Sequence, residues 1–434
     1  MLNQDGLEWV STTFGPEPRW TREPDMDVIT RLARKHLALD EGMSIGISFY
    51  AQGAFNKLYK ISTTAGDYVF RVSLPVYPHL KTESEVATTN FVCRKTDCPV
   101  PSIIAYDAEN QNELGFEWIL MEMMPGSPLR KRWRTMSWNA KKTIVRQLVS
   151  FQAQLFENRF SKIGNLYDKD GRVEDNSGIT RETSDVADLG PMVSLIFLWG
   201  DHLSHDIDRG PFATSYEWLK ARLQLVILDQ ERVRRESDDE DDIEDAEFAG
   251  ALAEDLLKML PDIFDPTTTE QQGTILFHDD LSMQNILVND EGRLTAIIDW
   301  ECVSAIPLWR ACQLPQLLNG RECDECPERS SYGPSSDDEN DDDSPDKFDN
   351  EGVSSLYWEH LLEYEQAQLR KLFMEEMARV QPNWVASINN ETTKADFELA
   401  VHNCDSGWSN KIVRRWLNAT SEGRVGSLAD ELRR

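Results

Sequence analysis

The hydrophobic pattern of the chain changes near Pro125, and this change constrains the fold more than any other feature. Before it, short segments rich in alternating and β-branched residues are separated by glycine-containing breaks, which is typical of strands joined by tight turns. The predicted elements run strand, strand, strand, helix, strand, strand, at Met43–Tyr50, Asn56–Ser62, Asp67–Ser73, His79–Thr96, Ser102–Asp107 and Phe116–Met123. This order predicts a small antiparallel sheet that carries one helix.

After Pro125 the apolar residues recur at helical spacing. Long helices are predicted at Ser137–Phe160, Tyr216–Arg235, Asp245–Ile263 and Ser354–Val380, and short strands at Thr274–Phe277, Ile286–Val288 and Leu294–Ile298. A chain of 434 residues is long enough for two packed units. We therefore predict an α+β, bilobal fold, with an N-terminal helical extension at 1–42, a small lobe at 43–124 and a mainly helical lobe at 125–434.

More than half of the net charge of −31 lies in two acidic tracts. Residues 236–247 hold nine acidic side chains, and residues 337–351 hold nine more with a single lysine. Segments of this composition have too little apolar area to offset the entropy cost of ordering. We therefore expect disorder at 236–247 and at 321–351, where glycine and proline also interrupt the pattern.

The remaining surface is moderately acidic, which excludes some partners. An acidic surface repels nucleic-acid phosphates and anionic membranes, so neither is expected to bind. A cationic small molecule would be compatible with this charge, although solubility alone also explains it. The sequence does not indicate an oligomeric state.

The expected location is cytoplasmic. No run of residues approaches the roughly 18 apolar positions that a membrane-spanning helix needs. The N-terminal sequence lacks the apolar core of a secretory signal, and its acidic residues disfavour a basic transit peptide. Seven cysteines without framework spacing suit a reducing compartment.

The most informative motif lies between the short strands of the helical half. His278, Asp280 and Asn285 have the spacing of the H-x-D-L-x-x-x-N loop of kinases, and Asp299 ends the next predicted hairpin strand. A polar turn between core strands could match this spacing by chance. The apolar strands on both sides and the Ile-Ile-Asp-Trp turn favour the functional interpretation.

Phosphoryl transfer requires the residue types found in this motif. One carboxylate orients the attacking hydroxyl and accepts its proton, and hard oxygen ligands hold Mg²⁺ against the phosphates. Asp280 fits the catalytic base, while Asn285 and Asp299 can approach one metal ion from neighbouring strands. His278 is better explained as a structural brace, because this chemistry gives an imidazole little to do.

These motifs resemble the aminoglycoside phosphotransferase family, and the FRVSLP, SEVAT, MEMMPG and IDWE segments are similar to its large fungal branch. The resemblance extends from about residue 43 to 318. It implies a protein-kinase-like fold, ATP or GTP with Mg²⁺ as cofactors, and a small-molecule hydroxyl as acceptor.

The nucleotide side departs from the usual kinase pattern. Gly53 is the single glycine in the turn where kinases place a phosphate-covering loop, so a plain hairpin turn remains an alternative. Arg71 stands where kinases carry the third-strand lysine, and arginine keeps the charge with a different shape. Glu85 is the expected ion-pair partner of Arg71, with Glu83 as the rival.

Glu122 and Met123 follow the fifth strand, where kinases bind an adenine edge through backbone groups. Core packing is an equally good explanation for Met123. Two other functions remain open at this level. A nucleotide-binding pseudokinase is favoured by Arg71 and the glycine-poor turn but opposed by the complete set of Asp280, Asn285 and Asp299. A protein kinase is disfavoured by the lack of an activation segment.

Overall fold

The fold follows from a computed structural model of the chain. The described residues are 4–12, 15–40, 42–168, 187–267, 273–334, 349–389, 392–424 and 426–432.

The N-terminal region combines a β-hairpin with a helix, so the prediction of a helical extension over 1–42 is wrong in part. Its elements are β1 (Leu7–Thr12), β2 (Gly15–Trp20) and α1 (Met26–His36). The hairpin forms because β1 presents large apolar side chains that pack against the small lobe. Asp25 caps α1 by accepting hydrogen bonds from the amides of Asp27 and Val28.

The small lobe is a five-stranded antiparallel sheet with one helix. Its elements are β3 (Ile45–Gln52), β4 (Asn56–Thr63), β5 (Gly66–Ser73), α2 (Leu80–Lys95), β6 (Ile103–Asp107) and β7 (Glu117–Glu122). The strands lie in the order β3-β4-β5-β7-β6, with Arg71 of β5 opposite Leu58 and Ile119. The helix packs against both the sheet and the large lobe, and it therefore buries charged residues as well as apolar ones.

The chain enters the large lobe through a close backbone contact at Gly126. This residue has φ +111°, and a Cβ there would lie 2.6 Å from the carbonyl oxygen of Val288. Thr295 Oγ1 also donates a 2.5 Å hydrogen bond to the carbonyl of Pro125. The contact explains the glycine of the MEMMPG segment, because any side chain there would push the chain away from β12, with which β8 pairs.

The large lobe is mainly helical. Its helices are α3 (Leu129–Arg132), α4 (Trp138–Glu157), α5 (Leu195–Leu198), α6 (Ser215–Glu236), α7 (Glu240–Ile263), α8 (Leu308–Ala311), α9 (Ser355–Val380), α10 (Pro382–Asn389), α11 (Thr392–Asn403), α12 (Asn410–Ser421) and α13 (Leu428–Leu432). Short 3₁₀ helices lie at Trp133–Thr135, His202–Ser204, Gln316–Leu318 and Arg329–Ser331. Within the described ranges, no helix is both long enough and apolar enough to cross a bilayer.

Three small antiparallel sheets support the loops of this lobe. Their strands are β8 (Ser127–Pro128), β9 (Asn165–Asp168), β10 (Ala187–Gly190), β11 (Thr274–Phe277), β12 (Ile286–Val288), β13 (Leu294–Ile297) and β14 (Ser304–Pro307). β12 pairs with β13 and β8, β11 with β14, and β9 with β10. This arrangement of a small β lobe and a mainly helical lobe confirms the predicted α+β, bilobal architecture.

The acidic tract at 236–247 is ordered, so the prediction of disorder there is wrong. α6 runs to Glu236, and α7 begins at Glu240. Asp239 caps α7, because its side chain accepts a hydrogen bond from the amide of Asp241. The prediction, which counted only charged residues, overlooked two features of this sequence. Acidic residues are favourable in the first turn of a helix, and buried positions from Ala246 onward anchor α7 against α6.

The predicted disordered segment 321–351 also needs correction at its ends. Arg370 of α9 is buried and donates to the carbonyls of Leu318 and Arg321, and Lys371 pairs with Asp324 at 2.6 Å. These contacts hold the first part of the segment against α9. Residues 335–348 lie outside the described part of the chain.

A segment of the large lobe also belongs to the small-lobe core. Within this interlobe strap, defined as residues 191–203, Val193 and Leu198 are completely buried among small-lobe side chains. The ring of Trp199 lies 5.4 Å from Trp9 of the N-terminal hairpin and 5.8 Å from Phe55 of the β3–β4 turn. The strap therefore connects the hairpin, the turn and the large lobe.

Candidate active site

The loop between β11 and β12 brings Asp280 and Asn285 together. The Asn285 amide nitrogen donates to Asp280 Oδ2 at 2.8 Å and to the Asp280 carbonyl at 3.0 Å. Asp280 is exposed to solvent, whereas Asn285 is buried. The side-chain nitrogen of Asn285 is thus occupied by hydrogen bonds within the loop. Its side-chain oxygen remains as the atom that can bind a cation.

Asp299 lies beside this loop at the end of β13. Its φ of +65° is left-handed, a conformation that costs a non-glycine residue about 1–3 kcal/mol and persists only where the surroundings impose it. The constraint comes from Ile298, whose amide donates to the Asn285 carbonyl at 2.9 Å. Asn285 and Asp299 are thereby held on adjacent segments.

His278 braces the same turn. Its Nε2 lies 3.2 Å from the Ile298 carbonyl, and its ring meets the edge of Trp300 with centroids 4.9 Å apart. Burial lowers the pKa of His278, which favours the neutral imidazole with Nε2–H as donor. The contacts match the bracing role predicted from the sequence.

Arg71 connects the small lobe to this loop. Its Nη1 lies 2.5 Å from Glu85, while Nη2 lies 2.5 Å from Glu301 and 3.5 Å from Asp299. Burial by itself would lower the pKa of Arg71, but the three carboxylates together raise it. The structure therefore selects Glu85 as the helix α2 partner of Arg71, and it adds Glu301 as a second partner.

Two members of this network were missed from the sequence. Glu301 and Lys81 form a 2.7 Å ion pair, and Asn56 donates to Glu301 at 3.0 Å. Burial would raise the pKa of Glu301, but Lys81 and Arg71 outweigh it and lower the pKa to about 2. The available signal was weak: Lys81 precedes Glu85 by one helical turn, and Glu301 follows Asp299 by two residues.

The other residues predicted to contact the nucleotide, Gly53, Glu122 and Met123, differ in how open their backbone groups are. Gly53 lies at the β3–β4 turn, and a Cβ placed there would meet no atom within 4 Å. The amide of Glu122 donates to Ser102, and the amide of Met123 donates to Asp67 at 3.3 Å. An adenine edge would therefore have to replace these bonds or use the carbonyl groups instead.

A second group of possible metal ligands lies away from this network. Asp201, His205 and Asp229 place ligand atoms close together, and this is the one such group found among the described residues. Arg232 pairs with Asp201 and lies 3.6 Å from Asp229, and His202 Nε2 lies 2.8 Å from Asp229. Arg232 and the His202 ring already contact these carboxylates, which favours a structural cluster of polar side chains.

The residues around Asp280 fit a magnesium-bound nucleotide. Asn285 and Asp299 offer the oxygen ligands that Mg²⁺ prefers. Burial and the nearby Glu301 raise the pKa of Asp299, so a cation at this carboxylate would relieve an unfavourable charge contact. Arg71 Nε is buried without a hydrogen-bond partner, and a phosphate oxygen is a suitable acceptor for it.

Comparison with known proteins agrees with this chemistry. The model of a family described as the phosphotransferase enzyme family matches residues 46–310. A subtelomeric hrmA-associated cluster protein of Aspergillus fumigatus is 25% identical over 387 residues, which cover 80% of this chain and 70% of that protein. The altered inheritance of mitochondria protein 9 of Saccharomyces cerevisiae is 25% identical over 391 residues, covering 80% of this chain and 58% of that protein.

Solved structures show a weaker likeness. Aminoglycoside phosphotransferase APH(4)-Ia has a TM-score of 0.42 and 13% identity, over 93% of this chain and 100% of that one. A thermostable mutant of it, solved with AMP-PNP and hygromycin B, has a TM-score of 0.39 and 13% identity, over 90% and 97% of the two chains. The family match and the lobe architecture together confirm the kinase-like fold.

The prediction of a cytoplasmic location is contradicted by these comparisons. Several relatives are named as mitochondrial proteins, including those of Eremothecium gossypii and Saccharomyces cerevisiae. The prediction failed because it relied on the absence of a recognisable targeting pattern and on unpaired cysteines, which suit more than one reducing compartment.

Proposed function

Because the chain belongs to the phosphotransferase enzyme family, we propose that it transfers the terminal phosphoryl group of ATP or GTP to a hydroxyl of a small molecule. The observation that carries this proposal is the convergence of Asp280, Asn285 and Asp299 at one loop, with Arg71 2.5 Å from Glu85 and 3.5 Å from Asp299. This set contains a base, two oxygen ligands for Mg²⁺ and a fixed cation.

Each residue has a separate role in the proposed reaction. Asp280 orients the acceptor hydroxyl and takes its proton as the oxygen attacks the terminal phosphorus, and the bond from that phosphorus to the bridging oxygen breaks. Asn285 and Asp299 hold Mg²⁺, which when bound supplies positive charge to the phosphate oxygens. Arg71 binds the remaining phosphates and is itself oriented by Glu85.

The large lobe favours a small-molecule acceptor over a protein substrate. Only four residues, Trp300–Val303, separate Asp299 from β14. An activation segment that would bind a protein substrate does not fit into this length. The acceptor is therefore expected to enter between the loop that carries Asp280 and the surrounding helices.

A pseudokinase is the second candidate, since an arginine replaces the usual lysine. The geometry of Arg71 opposes it, because the guanidinium keeps the ion pair with helix α2 and reaches the metal-binding segment. Loss of the lysine therefore does not by itself remove the cation that the phosphates need.

Transfer from γ-labelled ATP with Mg²⁺ into a metabolite extract tests the proposal. We expect a labelled small molecule in the presence of the parent protein, and labelling slower by a factor on the order of 10² or more with Asp280→Asn. Asp290→Asn is the matched control, because Asp290 is an exposed acid in the turn between β12 and β13, where it pairs with Arg132. Nucleotide binding without any transfer would instead establish the pseudokinase, and labelled protein would indicate a protein kinase.

A further inference from the structure

Four charged side chains are buried together at the boundary of the two lobes. Arg71, Lys81 and Glu85 belong to the small lobe and are 6%, 1% and 3% exposed, and Glu301 reaches them from the large lobe. The two cations of this quartet balance its two glutamates, and Asp299, which lies 3.5 Å from Arg71, is counted separately as a proposed metal ligand. Glu301 bridges the two cations, because one of its oxygens lies 2.5 Å from Arg71 Nη2 and 2.7 Å from Lys81 Nζ.

Lys81 cannot act by direct contact with a ligand. Its side chain is almost fully enclosed, and its ammonium group contacts Glu301 and, at 3.3 Å, Asn56 Oδ1. Asn56 is fixed in turn, since its Oδ1 accepts a 2.7 Å hydrogen bond from Ser73 and its amide nitrogen donates to Glu301. Any effect of Lys81 on the reaction must therefore pass through Glu301.

Glu301 would otherwise compete with phosphate for Arg71. A buried carboxylate without its own cation would hold the guanidinium more tightly and leave one net negative charge beside the phosphate-binding side of Arg71. Such a charge repels an anionic nucleotide. Lys81 supplies the missing positive charge from helix α2, one turn before Glu85.

We propose that Lys81 is a positioning residue for nucleotide binding, which acts by neutralising Glu301 so that Arg71 remains available to phosphate. The inference rests on the proposed function, because it assumes that a nucleotide binds beside Arg71. It assigns a role to a residue that lies outside the sequence motifs described above.

A charge-balance experiment tests this role. Lys81→Met should weaken binding of Mg·ATP by more than about tenfold, as expected for one unbalanced charge in a partly buried site. The double variant Lys81→Met with Glu301→Gln removes one positive and one negative charge and so restores the charge balance. It should bind Mg·ATP within about threefold of the parent. Glu301→Gln alone should bind at least as tightly as the parent, and Lys81→Arg should retain most of the affinity.

Lys57→Met is the matched control for removing a buried lysine. Lys57 lies on β4, opposite Val72 in register and so on the other face of the sheet from Arg71. It pairs with Glu23 at 2.5 Å, and its loss should not change the affinity for Mg·ATP.

Calorimetric titration with Mg·ATP, on variants shown by circular dichroism to be folded, distinguishes the outcomes. Unchanged binding in Lys81→Met, or a double variant no better than a folded Lys81→Met, would overturn the inference and leave the proposed function intact. If Lys81→Met does not fold, the Glu301→Gln titration decides, because weaker binding there contradicts charge compensation. A parent protein that does not bind Mg·ATP would overturn both.

Discussion

The stability of the large lobe should depend on pH through Glu398. This residue of α11 lies 2.5 Å from Arg222 of α6 and 3.1 Å from Arg310 of α8, so it joins three helices. Burial would raise the pKa of Glu398, but the two arginines outweigh it and lower the pKa from 4.5 to about 2. The ionised form is therefore favoured in the folded protein.

The magnitude follows from this pKa difference. One pKa unit corresponds to about 1.4 kcal/mol, so the ionised carboxylate contributes about 3 kcal/mol to the free energy of unfolding at neutral pH. Because the folded-state pKa is the lower one, the contribution is complete above the unfolded value. It falls as the pH drops from 4.5 towards 2, and less than half remains near pH 3.

Urea unfolding of the parent and of Glu398→Gln, followed at several pH values, measures this contribution. At pH 7 the variant should be less stable by about 3 kcal/mol, the cost expected when one partner of a buried ion pair is removed. The difference should shrink as the pH falls below 4.5. Glu422→Gln is the control, since Glu422 forms an exposed pair with Arg424 that is worth little. A stability difference that does not change between pH 7 and pH 3 would refute the reasoning.

Three further predictions concern the site and the acidic segment. Asp280→Asn should retain Mg·ATP affinity while lowering turnover by a factor on the order of 10² or more, whereas Asp299→Asn should impair Mg²⁺-dependent binding in calorimetric titrations. Arg71→Met should weaken nucleotide binding and Arg71→Lys should retain part of it, so parent-like affinity and turnover in Arg71→Met would contradict the phosphate role. Deleting 335–348 should leave cooperative thermal unfolding nearly unchanged. Deleting 321–351 should lower the melting temperature, because the buried Arg370 of α9 loses the Arg321 carbonyl as a partner. Equal melting temperatures for the two deletions would contradict this structural role of the first part of the segment.

The contact between Asp280 and Asn285 could be predicted because the two residues are close in sequence. The five-residue separation of Asp280 and Asn285 lets one side chain fold back on the other, and the strands on either side fix where the loop lies. The pairing of Arg71 with Glu85 needed the structure, since helical spacing leaves two carboxylates as candidates. The fold class followed from the pattern of apolar residues, which reports the period of each element directly.

The contact between Lys81 and Glu301 could not be predicted in the same way. The two residues lie far apart in sequence, and nothing local indicates that a lysine in a helix is buried. The prediction of disorder for the acidic tract at 236–247 failed for a different reason. Its charge was counted without the apolar positions that follow it, such as Leu252 and Leu256, which fix the helix by packing.

The interlobe strap has a consequence for how a nucleotide can enter and leave. If the strap moves with the large lobe, swinging the lobes apart would separate Trp199 from both Trp9 and Phe55, and aromatic contacts of this kind are worth about 0.5–1.5 kcal/mol each beyond the area they bury. The tip of the β3–β4 turn at Gly53 carries no such contact, because the space around it is open. Within this turn, the tip at Gly53 is therefore easier to move than Phe55, which contacts Trp199. If a nucleotide binds as proposed, we expect its exchange to proceed by a local movement of this tip, without a change in the separation of the lobes.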